Sequence, residues 1–235
     1  MSLFDTITLL NCPLKDIVNI HIPNCLSQPK FTRWVTLNPD ILFTAHHHSL
    51  LHYFKDAVCV ADGIGLIWLY FLRFKRWMIR IPGIDFVEAL FNTKRYRVYL
   101  LGARAPIVYR AEEQLNQRYP GLVVGFHHGF FSEEAWPSVI EDIKRCRPDI
   151  VLVGMGFPRQ ETLLISLEKA LDHGIGIGVG GSIEVWARHQ KRAPLFIRKM
   201  GFEWLFRIVV SPKRIKRLKF IQLFLIALFS RSTTS

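Results

Sequence analysis

Short apolar runs recur along this chain, mostly separated by mixed segments long enough to form a helix, and that alternation restricts the fold more than any other feature. The runs are Trp34–Leu37, Ala57–Ala61, Tyr96–Leu101, Leu122–Phe126, Ile150–Val153 and Ile175–Val179. Strands covered on both faces read as continuous apolar stretches rather than as alternating ones, and strands separated by helical segments build parallel sheets. Residues 107–119 carry Ile107, Val108, Ala111 and Leu115 at helical spacing. Ser132, followed by Glu133 and Glu134, is placed to cap a further helix, and Pro148 ends that helix before the next strand. From Arg95 to Gly181 the order is strand, helix, strand, helix, strand, helix, strand, a Rossmann-like half. The first 94 residues predict a further α/β layer. The expected fold class is therefore α/β: a Rossmann-like parallel sheet with an N-terminal α/β layer. The expected organisation is one core over residues 1–200, divided at 94/95, and an appendage over residues 201–235.

The chain has 235 residues, half of them hydrophobic, enough for a substantial core. Its 31 Lys and Arg against 19 Asp and Glu leave a formal charge of +12, which favours a polyanionic partner. The mean hydropathy of +0.19 is high for a basic chain and points to a membrane surface rather than nucleic acid. Cys12, Cys25, Cys59 and Cys146 form no CxxC pair and are read as unpaired thiols. Met1–Leu10 contains Asp5 and no basic residue, unlike a secretory leader.

Four stretches carry chemistry: Val35-Thr36-Leu37-Asn38-Pro39-Asp40, Ala61-Asp62-Gly63-Ile64-Gly65, Gly154-Met155-Gly156-Phe157-Pro158-Arg159-Gln160-Glu161, and Gly178-Val179-Gly180-Gly181-Ser182. Each follows an expected strand, and parallel sheets bind ligands beyond the carboxyl ends of their strands. The four should meet on one rim, where glycines let backbone N–H groups approach phosphate oxygens. Taken alone, Asp62 serves equally well as a helix cap or as a general base. Thr36 and Asn38 have the composition of a turn. The glycines at 174, 176, 178, 180 and 181 are also what a closely packed strand requires.

Further segments fall in a fixed order around these: RIPGID at Arg80–Asp85, VYLLGA at Val98–Ala103, GFF at Gly129–Phe131, KRAP at Lys191–Pro194 and FEWLFR at Phe202–Arg207. With TLNPD, ADGIG, PDIVLVGMGFPRQE and GVGGS, the ordered set resembles the WecG/TagA/CpsF family of bacterial glycosyltransferases over roughly Val35–Arg217. The resemblance implies an inverting transfer from a UDP-sugar of the N-acetylmannosamine, mannosaminuronic acid or glucuronic acid type. The implied acceptor is a polyprenyl-pyrophosphate-linked saccharide used for cell-surface polysaccharide. By resemblance Asp62 is the catalytic base. Thr36, Asn38, Arg80, Gln160 and Glu161 are substrate ligands. The donor is expected near Gly102, Ala103, Gly154, Gly156, Gly180, Gly181 and Ser182, with Arg207, Arg214 and Arg217 folding over its phosphates. Residues 1–94 become the acceptor half and 95–200 the nucleotide-sugar half. No Asp-X-Asp sequence is present, so neither metal nor other cofactor is expected. The resemblance also allows a homo-oligomer. Glu184 and Arg188 stand where family members usually have Asp and Gly.

Near the carboxyl end Lys213, Arg214, Lys216, Arg217 and Lys219 precede the apolar Phe220–Phe229. As a helix, that stretch is about 15 Å long, half of a bilayer core. It suits an interfacial anchor on an anionic membrane, and the expected location is the cytoplasmic face of the bacterial inner membrane. Leu66–Leu72 either adds to that surface or forms a buried helix. His46, His47, His48 and His52 lack a completing carboxylate or thiol, and a packing or solvated role is preferred over a metal. The rival functions are an NAD-dependent oxidoreductase and a non-catalytic basic adaptor for membrane or nucleotide. The first requires a GxGxxG opening a helix after the first strand, which is absent.

Overall fold

A computed structural model of the chain describes residues 7, 9–189, 192–199 and 203–210. The elements run β1 (Leu9–Leu10), α1 (Leu14–Asp16), a π-helical stretch (Ile17–His21), α2 (Ile22–Leu26), β2 (Thr32–Leu37), α3 (Pro39–His47), β3 (Val58–Ala61), α4 (Ile64–Phe74), α5 (Gly83–Thr93), β4 (Val98–Gly102), α6 (Ala105–Arg118), β5 (Val123–His127), α7 (Trp136–Cys146), β6 (Ile150–Gly154), α8 (Arg159–Ala170), β7 (Ile175–Gly178), α9 (Ser182–Trp186), α10 (Leu195–Lys199) and α11 (Glu203–Val210). All six expected strands form, each within two residues of its expected bounds. A seventh, β1, has only two residues, too few for any periodicity to reveal, and it forms by pairing with β3 at the sheet edge.

The strands form one parallel sheet in the order β1-β3-β2-β7-β6-β4-β5. It is an α/β Rossmann-like sheet, continuous across the boundary at residue 94, because β2 pairs with β7. Alternation sorts the strand side chains between two cores. On one face Trp34, Val98, Leu100, Ile150, Leu152, Ile175 and Ile177 meet apolar side chains of α5, α6 and α9. On the other, Val35, Leu37, Cys59 and Ala61 meet α3 and α4, and Tyr99, Leu101, Val151 and Val153 meet α7 and α8. With both faces covered, the central strands are apolar at nearly every position. Each fully buried aliphatic side chain contributes about 1.5–3 kcal/mol. Arg33 and Thr36 are the buried polar exceptions within β2, and Arg33 is the charged one. Its burial is tolerated because Nε donates to Glu168 at 2.6 Å while the other guanidinium nitrogens donate to the Tyr53 and Lys55 carbonyls.

Local signals act mostly as read. α6 buries Val108, Ala111 and Leu115 and carries a proline in its first turn. α7 ends at Cys146, with Arg147 left-handed just before Pro148. Ser132 differs: it precedes a 3-10 turn over Glu133–Ala135, and its side chain makes no capping bond. The hydroxyl instead bonds the exposed Glu134 carboxylate and lowers its pKa. The hydroxyl donates to that carboxylate, and this bond turns the side chain to a local partner other than the backbone N–H groups. The four cysteines are unpaired. His46, His47, His48 and His52 are all exposed, with His47 stacked on Phe43 and His52 against the Ser49 carbonyl. Among the described residues no helix is long and apolar enough to cross a membrane.

The path of the chain creates a topological switch point. From β4 it crosses through α6 to β5 on the outer side, whereas from β6 it crosses through α8 to β7 on the inner side. The connections leaving the paired carboxyl ends of β4 and β6 therefore diverge, and such a switch point is where open α/β sheets take ligands.

Candidate active site

Because all strands are parallel, the four motifs emerge on one rim. At its inner end β2 and β3 run in register, Leu37 opposite Ala61, so Asn38 and Asp62 leave adjacent strand ends side by side. The Asp62 N–H donates to the Leu37 carbonyl at 2.7 Å and extends the ladder by one bond. Gly63 follows at φ +88 and caps α4. A Cβ there would lie 3.5 Å from Pro39 Cδ and 4.0 Å from Asn38 Cβ, which shows how closely the two turns approach. The cap position belongs to Gly63 rather than to Asp62. Asn38 caps α3, its Oδ1 accepting from the Ile41 N–H at 3.0 Å. The turn role is thus real, and it leaves the amide nitrogen for another partner.

Thr36 lies below this corner. It is buried, and its hydroxyl donates to the Gly178 carbonyl at 2.8 Å. Gly83, the first residue of α5, packs on it so tightly that a Cβ would stand 2.8 Å from Thr36 Cγ2. Thr36 therefore fixes β2, β7 and the start of α5 relative to one another.

At the switch point the backbones of three strands nearly touch. Gly102 faces Gly154 in register. A Cβ on Gly102 would lie 2.4 Å from the Gly154 carbonyl oxygen, and one on Gly154 would lie 2.8 Å from that of Gly180. Ala103 continues from Gly102 at φ +54, its N–H reaching the Gly154 carbonyl. Gly156 and Gly180 turn at φ +77 and +49, and Gly181 and Ser182 lead into α9. Gln160 joins two of these turns, its Oε1 accepting from the N–H groups of both Gly156 and Gly180 at 3.2 Å. Its amide nitrogen donates to Glu161 Oε1 at 2.8 Å. Gly176 and Gly178 have the bland role as well, since a Cβ on either would collide with Leu164 or Gln160 of α8.

Glu161 is 1% exposed, and its Oε2 has no hydrogen-bond partner. Burial pushes its pKa up to about 7, against the opposing bonds from Gln160 and its own backbone N–H. A carboxyl so placed carries a proton near neutrality more readily than a surface glutamate does. Among the described residues no group of three or more His, Cys, Asp or Glu side chains is arranged to share a metal ion.

Arg80 reaches toward the carboxyl-terminal segment, its guanidinium donating to the Arg198 carbonyl at 2.8 Å. Nearby, Arg192 binds Asp85 at 2.5 Å and Glu88 at 3.4 Å, and Arg198 lies 3.7 Å from Asp85. This clamp holds residues 192–199 against α5. Asp85 and Arg192 lie in the RIPGID and KRAP segments, to which the sequence alone assigns no role. Their opposite charges were the available signal.

The family model for the WecG/TagA/CpsF glycosyltransferases matches residues 6–234. The chain belongs to this family of glycosyltransferases. Its WecG/TagA/CpsF relatives include the N-acetylglucosaminyldiphosphoundecaprenol N-acetyl-beta-D-mannosaminyltransferase of Staphylococcus aureus strain NCTC 8325, 37% identical over 196 residues, or 81% of this chain and 77% of the relative. The proteins of the same name from strains MW2 and MRSA252 are 37% and 36% identical over the same shares.

The surroundings of Arg188 and Glu184 are well defined. Arg188 is exposed and left-handed at φ +54, just beyond α9, where glycine has no Cβ penalty. Glu184 turns back toward Gly181, whose Cβ would lie 3.5 Å from Oε2. Arg207 sits in α11, and its side chain, like the whole of Arg214, Arg217 and the stretch 211–235, lies outside the described residues.

Proposed function

We propose that this chain is an inverting glycosyltransferase that moves a sugar of the N-acetylmannosamine class from a UDP donor to a polyprenyl-diphosphate-linked saccharide beginning with N-acetylglucosamine. The observation that carries the reading is the corner where Asn38 and Asp62 leave adjacent, in-register strands on the rim that also holds the glycine turns. The names of the relatives supply the sugar and the acceptor.

With strands about 4.8 Å apart, Asp62 on β3 and the switch point between β6 and β4 are separated by roughly 14–19 Å along the rim. A monosaccharide cannot bridge that span; an extended nucleotide-diphosphate sugar suits it. The uridine and diphosphate would occupy the Gly102–Ala103, Gly154–Gly156 and Gly180–Ser182 turns, where Gly156 and Gly180 leave open space for close approach, while their own N–H groups are held by Gln160. The sugar would then extend over β7 and β2 toward Asp62. The Asp62 carboxylate takes the proton of the acceptor hydroxyl, the hydroxyl oxygen attacks the anomeric carbon from the face opposite UDP, and the bond to the diphosphate breaks. One displacement inverts the centre. The Asn38 amide and Arg80 orient the reacting groups. Thr36 and Gln160 act from beneath by fixing the strands and turns. Guanidinium groups of Arg207, Arg214 and Arg217 would neutralise the departing diphosphate, a role that makes the reaction metal-independent. The lipid-linked acceptor supports a peripheral membrane location, and a UDP-sugar donor supports the cytoplasmic face.

The test is UDP release from UDP-N-acetylmannosamine with a short-chain polyprenyl-diphosphoryl-N-acetylglucosamine analogue in the presence of EDTA, together with the anomeric configuration of the product by NMR. Turnover in EDTA with an inverted product supports the reading. A retained configuration, or activity that EDTA removes and magnesium restores, contradicts it. A non-catalytic adaptor would release no UDP with any donor.

A further inference from the structure

We propose that the outer face of α4 and the strand-like return that follows it form an interfacial platform that seats the protein on an anionic lipid surface. The platform is separate from the carboxyl-terminal basic stretch.

Four of the ten large apolar side chains exposed among the described residues fall within twelve positions: Trp68 (45% exposed), Phe74 (39%), Trp77 (58%) and Ile79 (41%). Clustering of this kind separates a contact surface from the scattered exposure normal for any protein. The cluster is not a helix that failed to pack. The opposite face of α4 is seated in the core through Leu66 and Ile67, which meet Leu37, Cys59 and Ala61. Met78 is likewise buried and pins the return segment. The exposed rings brace one another: Trp77 stacks on Phe71 at 4.2 Å and meets Trp68 edge-on at 5.5 Å.

Charge identifies the occupant. From Gly63 to Ile84 there is no acidic residue, while Arg73, Lys75, Arg76 and Arg80 are all basic. Arg73 lies over the Phe74 ring and Lys75 over the Phe71 ring, each at 5.6 Å, and Phe71 stacks on Trp77, so Lys75 joins the Trp68–Phe71–Trp77 ring cluster. Exposed tryptophan and phenylalanine interleaved with lysine and arginine is the composition of a surface lying at the headgroup level of an anionic bilayer. A second copy of this chain docking face to face would bring like charges together, which disfavours self-association here.

The position adds a consequence. α4 starts directly after Asp62 and Gly63, and the return segment rejoins the sheet where the Ile81 N–H donates to the Ala61 carbonyl. The Ile79 N–H is held by Asn11 Oδ1 at the end of β1. The platform therefore hangs from the same strand end as Asp62 and would hold that corner of the rim at the membrane surface. Only this consequence rests on the proposed lipid-linked acceptor; the lipid contact does not.

The experiment is co-sedimentation of the full chain with phosphatidylglycerol–phosphatidylcholine vesicles and with phosphatidylcholine vesicles, comparing wild type with Trp68→Ala/Trp77→Ala and Arg73→Gln/Arg76→Gln. The charge variant guards against a folding defect in the aromatic one, and circular dichroism checks both. The expected result is binding that depends on phosphatidylglycerol and weakens on the order of 30-fold when two cations are removed. The exposed-aromatic control Tyr109→Ala should bind as wild type. Both platform variants should keep UDP release on a water-soluble acceptor analogue, and Asp62→Asn should keep vesicle binding, so failure of the platform and failure of the transferase reading are separable. Unchanged vesicle binding in both platform variants would overturn the proposal and leave the tail as the anchor. Unchanged binding with a shift from dimer to monomer would assign the face to self-association.

Discussion

At the scale of single residues, two positions put the physics of the rim within reach of simple measurements. The Glu161 carboxyl has its pKa raised from 4.5 to about 7 by burial. Because the folded state holds the proton more tightly than the unfolded chain, this group lowers stability as pH rises from about 4.5 through 7, and the full cost, about 3 kcal/mol, is present above that. Glu161→Gln should therefore be more stable than wild type in urea unfolding at about pH 8 and nearly equal at about pH 4. Equal differences at both pH values would show that the carboxyl is not protonated by its surroundings. Arg188 holds a left-handed conformation at φ +54 while exposed. Arg188→Gly should raise stability by about 1 kcal/mol by relieving that backbone cost, read as a shift in the urea midpoint. The residue type at position 188 thus has a backbone consequence, set by its left-handed φ.

At the scale of elements, the clamp between α5 and the segment 192–199 is the feature with the clearest mechanical role. Arg192 is 15% exposed and faces both Asp85 and Glu88. Arg192→Ala leaves two carboxylates without their shared cation and should cost about 1–3 kcal/mol locally. Hydrogen exchange should then rise in residues 195–199 while β4 and β6 stay protected. Uniform loss of protection would mean that the clamp is part of the global core. Gly83→Ala tests the other side of α5, where the new Cβ would meet Thr36 at 2.8 Å; a destabilisation of about 1–3 kcal/mol is expected from overpacking. The elements themselves were legible because apolar runs and helical spacing are properties of contiguous residues. Thr36 was not legible as a buried strut, since its bonded carbonyl is 142 residues away at Gly178. The same holds for Gln160, whose bond to Gly180 spans 20 residues. β1 escaped because two residues carry no period. The double duty of Asn38, as cap and as rim residue, was visible only as an ambiguity until the Ile41 bond showed that capping uses one of its two polar atoms.

At the scale of the whole molecule, a single parallel sheet brings residues from positions 36 to 182 onto one rim, and the opposite end of the strands is occupied by unrelated features. A depression there is lined by Lys94, Arg95, Arg97 and Tyr119 among others and shares no residue with the rim. The membership of this chain in a glycosyltransferase family, the switch point and the Asn38–Asp62 corner converge on a donor lying along the rim with its reactive carbon near β3. The measurement that tests this most directly is Asp62→Asn. Transfer should fall by roughly 10²–10⁴-fold, as expected for loss of a general base, with UDP affinity by calorimetry unchanged because the proposed nucleotide position is several strands from Asp62. Transfer at the wild-type rate, or loss of UDP binding in parallel with loss of transfer, would contradict the account.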